Sequence, residues 1–137
     1  MSSPAATEML TPVSIGEVAD KITILRIKSE RIKDPAKLVN IHAELNALNA
    51  VFTRHFPELA AEVTDAIAQL QAVNEKLWVI EDDIRDCERA KDFGDTFVQL
   101  ARAVYFTNDE RAHLKKVINL ALGSAYVEEK SYADYTA

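Results

Sequence analysis

Leu59 to Cys87, LAAEVTDAIAQLQAVNEKLWVIEDDIRDC, is the stretch on which the fold turns. Leu59, Val63, Ala66, Leu70, Val73, Leu77, Ile80, Ile84 and Cys87 recur at alternating steps of four and three. That is an apolar heptad stripe held for about four heptads, the pattern of a long helix with one narrow buried seam. No Gly or Pro interrupts it. A helix from Pro57 to about Ala90 would be roughly 50 Å long, too long for one ordinary helix to cover. The stretch therefore predicts a spine against which the other segments pack.

Upstream, Ser14 followed by Glu17 reads as a capping box opening a first helix, in which each side chain satisfies an orphan amide. Its seam is Ile15, Val18, Ile22, Leu25 and Ile32, and Ile24 and Ile27 lie off it, so more than one stripe is buried. Asp34-Pro35 ends this helix and starts a second, with Asp as N-cap and Pro in the first turn. The second carries Leu38, Ile41, Leu45, Leu48 and Phe52 and stops at His55-Phe56-Pro57. The short break between the two predicts an antiparallel hairpin.

Downstream, Lys91-Asp92-Phe93-Gly94-Asp95 is the clearest break. A fourth helix is predicted from Asp95 to Phe106, with Phe97, Leu100, Ala101 and Val104 on one face. Thr107 and Glu110 read as a second capping box opening a fifth, which carries Leu114, Val117, Ile118 and Ala121 and ends at Gly123. The expected fold is all-α, a five-helix bundle organised on one long central helix with helical hairpins at both ends. A flexible leader (1–12), a bundle domain (13–123) and a C-terminal tail docked on the bundle (124–137) complete the organisation. Pairing of two spines in a dimer is the competing arrangement, since a heptad seam also suits a coiled coil.

Composition narrows the function classes. A chain of 137 residues, 48% hydrophobic and 28% charged, with three Gly and four Pro, is a globular domain able to bury a core. A net charge of −6 argues against a general nucleic-acid binder. Residues 1–10 lack the pattern of a secretory signal, and no segment has the apolar length of a membrane span. The single Cys87, on the apolar seam, reads as a small buried thiol in a reducing compartment, and the expected location is the cytoplasm.

Four groups of residues bear on chemistry. Asp82, Asp83 and Asp86 spell the DDxxD pattern with which prenyl-chain synthases hold magnesium, but those enzymes need a second such motif and a much longer chain. Arg85 stands at helical spacing from Glu81 and Asp82, Arg89 from Asp86 and Lys91 from Glu88, so a solvated face laced by local pairs explains the cluster. Glu17/Asp20 and Glu62/Asp65 have the E-x-x-[ED] spacing of all-helical nucleotide pyrophosphohydrolases, but Glu17 is accounted for by the capping box. Lys21, Arg26, Lys28 and Arg31, with Arg111, faintly resemble the arginine-bearing helix of helical chorismate mutases, which also need a Glu or Gln in the pocket. His42, His55 and His113 are isolated. The fourth group is the polar corner of Arg102, Tyr105, Asn108, Asp109 and Arg111, joined by the tail residues Glu128, Glu129, Lys130 and Tyr132. Helix capping by itself selects Thr107, Asn108 and Asp109 and is the leading account of the corner, with a small polar site as the other. The tail residues suit partner contact or docking onto the bundle, a frayed end being the plainer account.

Ser14-Ile15-Gly16-Glu17, Asp20-Lys21-Ile22-Thr23-Ile24-Leu25, Lys28 and Arg31-Ile32 resemble the opening of a small bacterial family catalogued as a domain of unknown function. Leu77-Trp78, Ile80-Glu81-Asp82, Leu100-Ala101-Arg102, Val104-Tyr105, Asn108-Asp109-Glu110-Arg111 and Glu128-Glu129-Lys130-Ser131-Tyr132 resemble its later motifs. The resemblance implies a bacterial origin and a loose association with surface-polysaccharide genes, and it favours a docked tail over a frayed one. The expected function is a non-catalytic accessory or protein-interaction module without cofactor. A protein partner or self-association is expected, with no nucleic acid and no membrane insertion. The alternative is a small magnesium-dependent enzyme acting on a phosphorylated or nucleotide-sugar substrate through Glu62, Asp65, Asp82, Asp83 and Asp86.

Overall fold

The structure, a computed structural model, describes residues 6–136. The first five leader residues lie outside that range; residues 6–14 form no helix and, Ser14 apart, are exposed. Four helices follow: α1 (Ile15–Arg31), α2 (Pro35–His55), α3 (Ala61–Ala90) and α4 (Asp95–Ala121). The all-α class is as the sequence predicts, but the helices among the described residues number four. The fourth and fifth predicted helices are one continuous helix.

The predicted boundary at Thr107 fails for a reason visible in the register. Phe97, Leu100, Val104, Thr107, Arg111, Leu114 and Ile118 follow one another at steps of three and four, a single heptad seam with two polar members. Thr107 is 1% exposed within it, and no side-chain cap forms there. Thr, Asn and Asp in a helix interior cost only a few tenths of a kcal/mol each. Breaking the helix would forfeit the seam that α4 buries against α3, so tertiary packing prevails.

The other boundaries come from local chemistry. Ser14 accepts a hydrogen bond from the Glu17 amide (3.2 Å), and Asp34 accepts one from Ala36 with Pro35 in the first turn. α3 ends with Lys91 left-handed (φ 56°) and the Asp92 amide reaching back to the Cys87 carbonyl, a Schellman closure. Gly123 (φ 65°) ends α4 in the same way, with the Ser124 amide donating to the Asn119 carbonyl. α3 begins at Ala61 rather than Pro57, and its seam is buried at Val63, Ala66, Leu70, Val73, Ile80 and Cys87.

The predicted spine with a hairpin at each end needs correction. α3 and α4 form the most extensive pair, while α2 packs its backbone against α1 alone. The helix that meets every other one is α1. It manages this by burying two stripes: Ile22 and Leu25 on one, and Gly16, Asp20, Thr23 and Ile27 on the other. The core of Ala19, Ala66, Leu70, Val73, Leu114 and Ile118 sits where α1 crosses the first half of α3 and the last half of α4. Beyond it, from residue 81 to 106, Cys87 is the one buried side chain among the described residues, so the far half of the α3–α4 hairpin extends past the core.

The start of α1 is fastened from three sides. The Ile15 amide donates to Ser124 Oγ (3.0 Å), that of Gly16 to Asn119 Oδ1 (2.6 Å) and that of Glu17 to Ser14. Three of the four orphan amides of a helix N-terminus are thereby satisfied, two by the end of α4 and the turn after it. This docking brings the acidic first turns of α1 against the basic second half of α4.

Candidate functional site

Between α1 and α4 lies a buried polar layer. Asp20 is wholly buried, and its carboxylate accepts a bidentate pair of hydrogen bonds from the Arg111 guanidinium. Asn74 of α3 donates to the same Asp20 Oδ1 (2.8 Å) and to Thr23 Oγ1 (2.9 Å), and the Thr23 hydroxyl donates to the Asp20 carbonyl. The hydrogen bond to Asp20 holds the Arg111 guanidinium above its ordinary pKa against the effect of its burial. Paired, bidentate and backed by an amide, this is the geometry in which a buried charge is tolerated.

One turn along α4, the Lys115 side chain is 11% exposed, and its ammonium donates to Glu17 Oε2 of α1 (2.6 Å) and to Glu128 Oε2 of the tail (2.9 Å). Burial pulls its pKa down, but the two carboxylates outweigh burial and the net shift is upward. Further along the tail, Glu129 pairs with Lys116, and Lys130 and the Tyr135 hydroxyl both reach Asp109. The Tyr135 ring also packs against Tyr105 and edge-on against Phe106.

These elements enclose a cleft of about 600 Å³ lined by α1, α4 and the tail. Of the corner and tail residues singled out in the sequence, Tyr105, Asn108, Asp109, Arg111, Glu128, Lys130 and Tyr132 line it. Arg102 and Glu129 do not: Arg102 lies over the Phe106 ring, and Glu129 sits against Lys116. Reading Glu17 as the second half of a capping box hid its actual partner. Its backbone amide is capped by Ser14, while its carboxylate goes to Lys115. Lys115 was missed as well. The signal was present as a match between helices: Glu17 and Asp20 three apart on α1 face Lys115 and Arg111 four apart on α4.

A second cleft of about 510 Å³ adjoins the first through Asn108 and Arg111 and is walled by Ile24, Ile27, Trp78 and Asp82. Asp83 and Asp86 are exposed on another part of α3, and Asp86 pairs with Arg89. Glu62 and Asp65 stand at the opposite end of α3, roughly 30 Å away by helical rise. Among the described residues, no three His, Cys, Asp or Glu side chains are grouped so as to hold a metal ion. Arg31, one of the four basic residues of the dicarboxylate-clamp reading, turns instead to Glu75 (2.9 Å).

The family model that matches the chain, over residues 9–136, is that of a family of unknown function, DUF6165. The chain belongs to that family. Among curated proteins and solved structures no match was found. The DUF6165 match spans α1, α4 and the tail, so every element that lines the cleft falls inside it. No helix among the described residues of this DUF6165 chain is long and apolar enough to cross a membrane.

The tail contact makes a titration prediction. The hydrogen bond to Asp109, helped by desolvation, pushes the Tyr135 phenol up from 10 to about 12. An acid whose pKa is raised on folding favours the folded state while protonated. The contact is therefore intact below pH 10 and is lost as the pH rises through about 12. An ultraviolet absorbance titration should show a late-ionising phenol that disappears in Tyr135→Phe. An identical high-pH phase in the variant would rule the contact out.

Proposed function

We propose that this DUF6165 protein is a non-catalytic accessory module whose contact surface is the cleft between α1, α4 and the tail. What carries the reading is the convergence of Glu17, Lys115 and Glu128, from three separate segments, on one cleft that presents phenols, an amide and paired charges. Side chains of this kind orient and hold a partner by hydrogen bonds. A bacterial cytoplasmic setting and a link to surface-polysaccharide genes belong to the same proposal.

Stoichiometric capture of a partner by the full chain tests it. Asn108→Ala and Tyr105→Ala should each weaken capture about tenfold, as hot-spot truncations do, while the remote Val39→Ala leaves it unchanged. Equal capture by all four proteins would sink the reading. The magnesium-dependent alternative draws no support from a set of carboxylates spread along α3. Calorimetric titration of magnesium into wild type and Asp83→Asn separates the two readings.

A further inference from the structure

The tail holds itself to α4 by side chains alone. Glu128 on Lys115, Glu129 on Lys116, and Lys130 and Tyr135 on Asp109 are its polar anchors along the helix, and all four of these tail residues are exposed. From residue 125 to 136 it has no helix or strand and no fully buried side chain. Exposed pairs of this kind contribute little individually and weaken with salt.

What lies beneath the tail is held differently. Arg111 is fixed by its bidentate pair with Asp20, which Asn74 and Thr23 back in turn, and its Nη1 donates to none of the described residues. Lys115 is fixed by Glu17 and by near-complete enclosure. Asn108, Arg111 and Lys115, at steps of three and four, share one face of α4 and line the same cleft. The result is a rigid row of an amide, a guanidinium edge and an ammonium. One acceptor of that row, Glu128, is borne on a replaceable segment.

We propose that this row is a binding site for the acidic group of a small ring-bodied compound, a carboxylate or a phosphate monoester. Glu128 occupies the site as an intramolecular stand-in and is displaced when the compound binds. For a carboxylate the exchange is charge-neutral, one acid replacing another on Lys115 with the Glu17 pair left in place, and a phosphate monoester brings up to about one further negative charge beside Arg111. The Nη1 edge of Arg111 and the Asn108 amide supply donors that the single Glu128 carboxylate leaves unused. The body of the ligand has Val104 and Tyr105 of α4 as its wall, which stays in place when the tail loosens. Displacing Glu128 loosens the tail, which couples ligand binding to further exposure of the half-exposed Tyr105 and Phe106 rings against which Tyr135 packs. The site goes beyond the contact-surface reading, because it needs a small molecule and no protein partner.

The test uses the full chain with phenyl phosphate, benzoate and inorganic phosphate as probes, followed by amide NMR at low salt. Glu128→Gln keeps the shape of the tail and removes the competing charge, so it should bind at least one ring-bodied probe about tenfold more tightly than wild type. Lys115→Met should bind that probe about tenfold more weakly or worse. In wild type, saturation should move the amides of residues 126–135 toward random-coil positions. A preference for phenyl phosphate identifies a phosphate monoester as the natural group, and a preference for benzoate identifies a carboxylate. Equal affinity in wild type and Glu128→Gln, or no saturable binding of any probe by Glu128→Gln, overturns the proposal. Partner capture that is lost in Asn108→Ala would still stand after that failure, so the two readings fail separately.

Discussion

Gly16→Ala should cost the protein about 2 kcal/mol of stability, although alanine is the better helix former by roughly 1 kcal/mol. At Gly16 the backbone of α1 meets that of α4. A Cβ there would stand 3.0 Å from Asn119 Oδ1, and nearer still to the Lys115 carbonyl oxygen than real Cβ atoms approach any atom. The obstruction is backbone, so no rotamer change relieves it, and α1 must move away from α4. That movement would strain the 2.6 Å bond from the Gly16 amide to Asn119 and the Glu17–Lys115 pair beside it. Overpacking of this kind costs about 1–3 kcal/mol, and a weakened buried hydrogen bond adds about 1. The check is a urea unfolding curve read by circular dichroism. An unchanged or raised midpoint would mean that α1 and α4 do not approach through this residue.

The second large effect is an asymmetry. Arg111→Met should destabilise by about 4 kcal/mol, and Asp20→Ala by only about half as much. The two residues form one pair, but Asp20 is 1% exposed at its side chain whereas Arg111 is 30% exposed. Removing the guanidinium strands a carboxylate that cannot reach water, leaving it one amide donor from Asn74. Removing the carboxylate leaves a guanidinium that can swing into the cleft and be solvated, and Asn74 keeps Thr23 as an acceptor. The double replacement should cost less than the two single ones summed, because neither charge is then left alone. A double-mutant cycle in urea measures all three values. Asp20→Ala proving as costly as Arg111→Met would contradict the difference in burial.

Both effects involve residues whose meaning the sequence held only in part. Gly16 stands in the opening motif with no task of its own, and Asp20 reads there as one half of an E-x-x-[ED] metal pair rather than as the partner of an arginine. Arg111 was placed in a polar corner between two helices that do not exist separately. Seven of the nine corner and tail candidates line the cleft. Their partners Glu17 and Lys115 fall outside that set, since a capping box accounts for Glu17 and Lys115 carries no local signal at all. The spine was half right. α3 has the buried seam expected of it, but α1, shorter and with a mixed polar and apolar second stripe, is the helix on which the others meet.

The sequence by itself determined what depends on neighbours along the chain. Ser14, Asp34-Pro35, the 91–94 break and Gly123 set helix ends because capping and turn geometry act over a few residues. The stripe from Val63 to Cys87 set the buried face of α3 because periodicity is read within one helix. Only the tertiary structure decided that α4 runs unbroken through Thr107, that Asp20 holds Arg111, and that Lys115 joins α1 to the tail. Each of these depends on an energy shared by residues far apart in the chain. A polar side chain on a heptad seam is a breach or a bond according to what stands opposite, and at Arg111 what stands opposite is Asp20, 91 residues away.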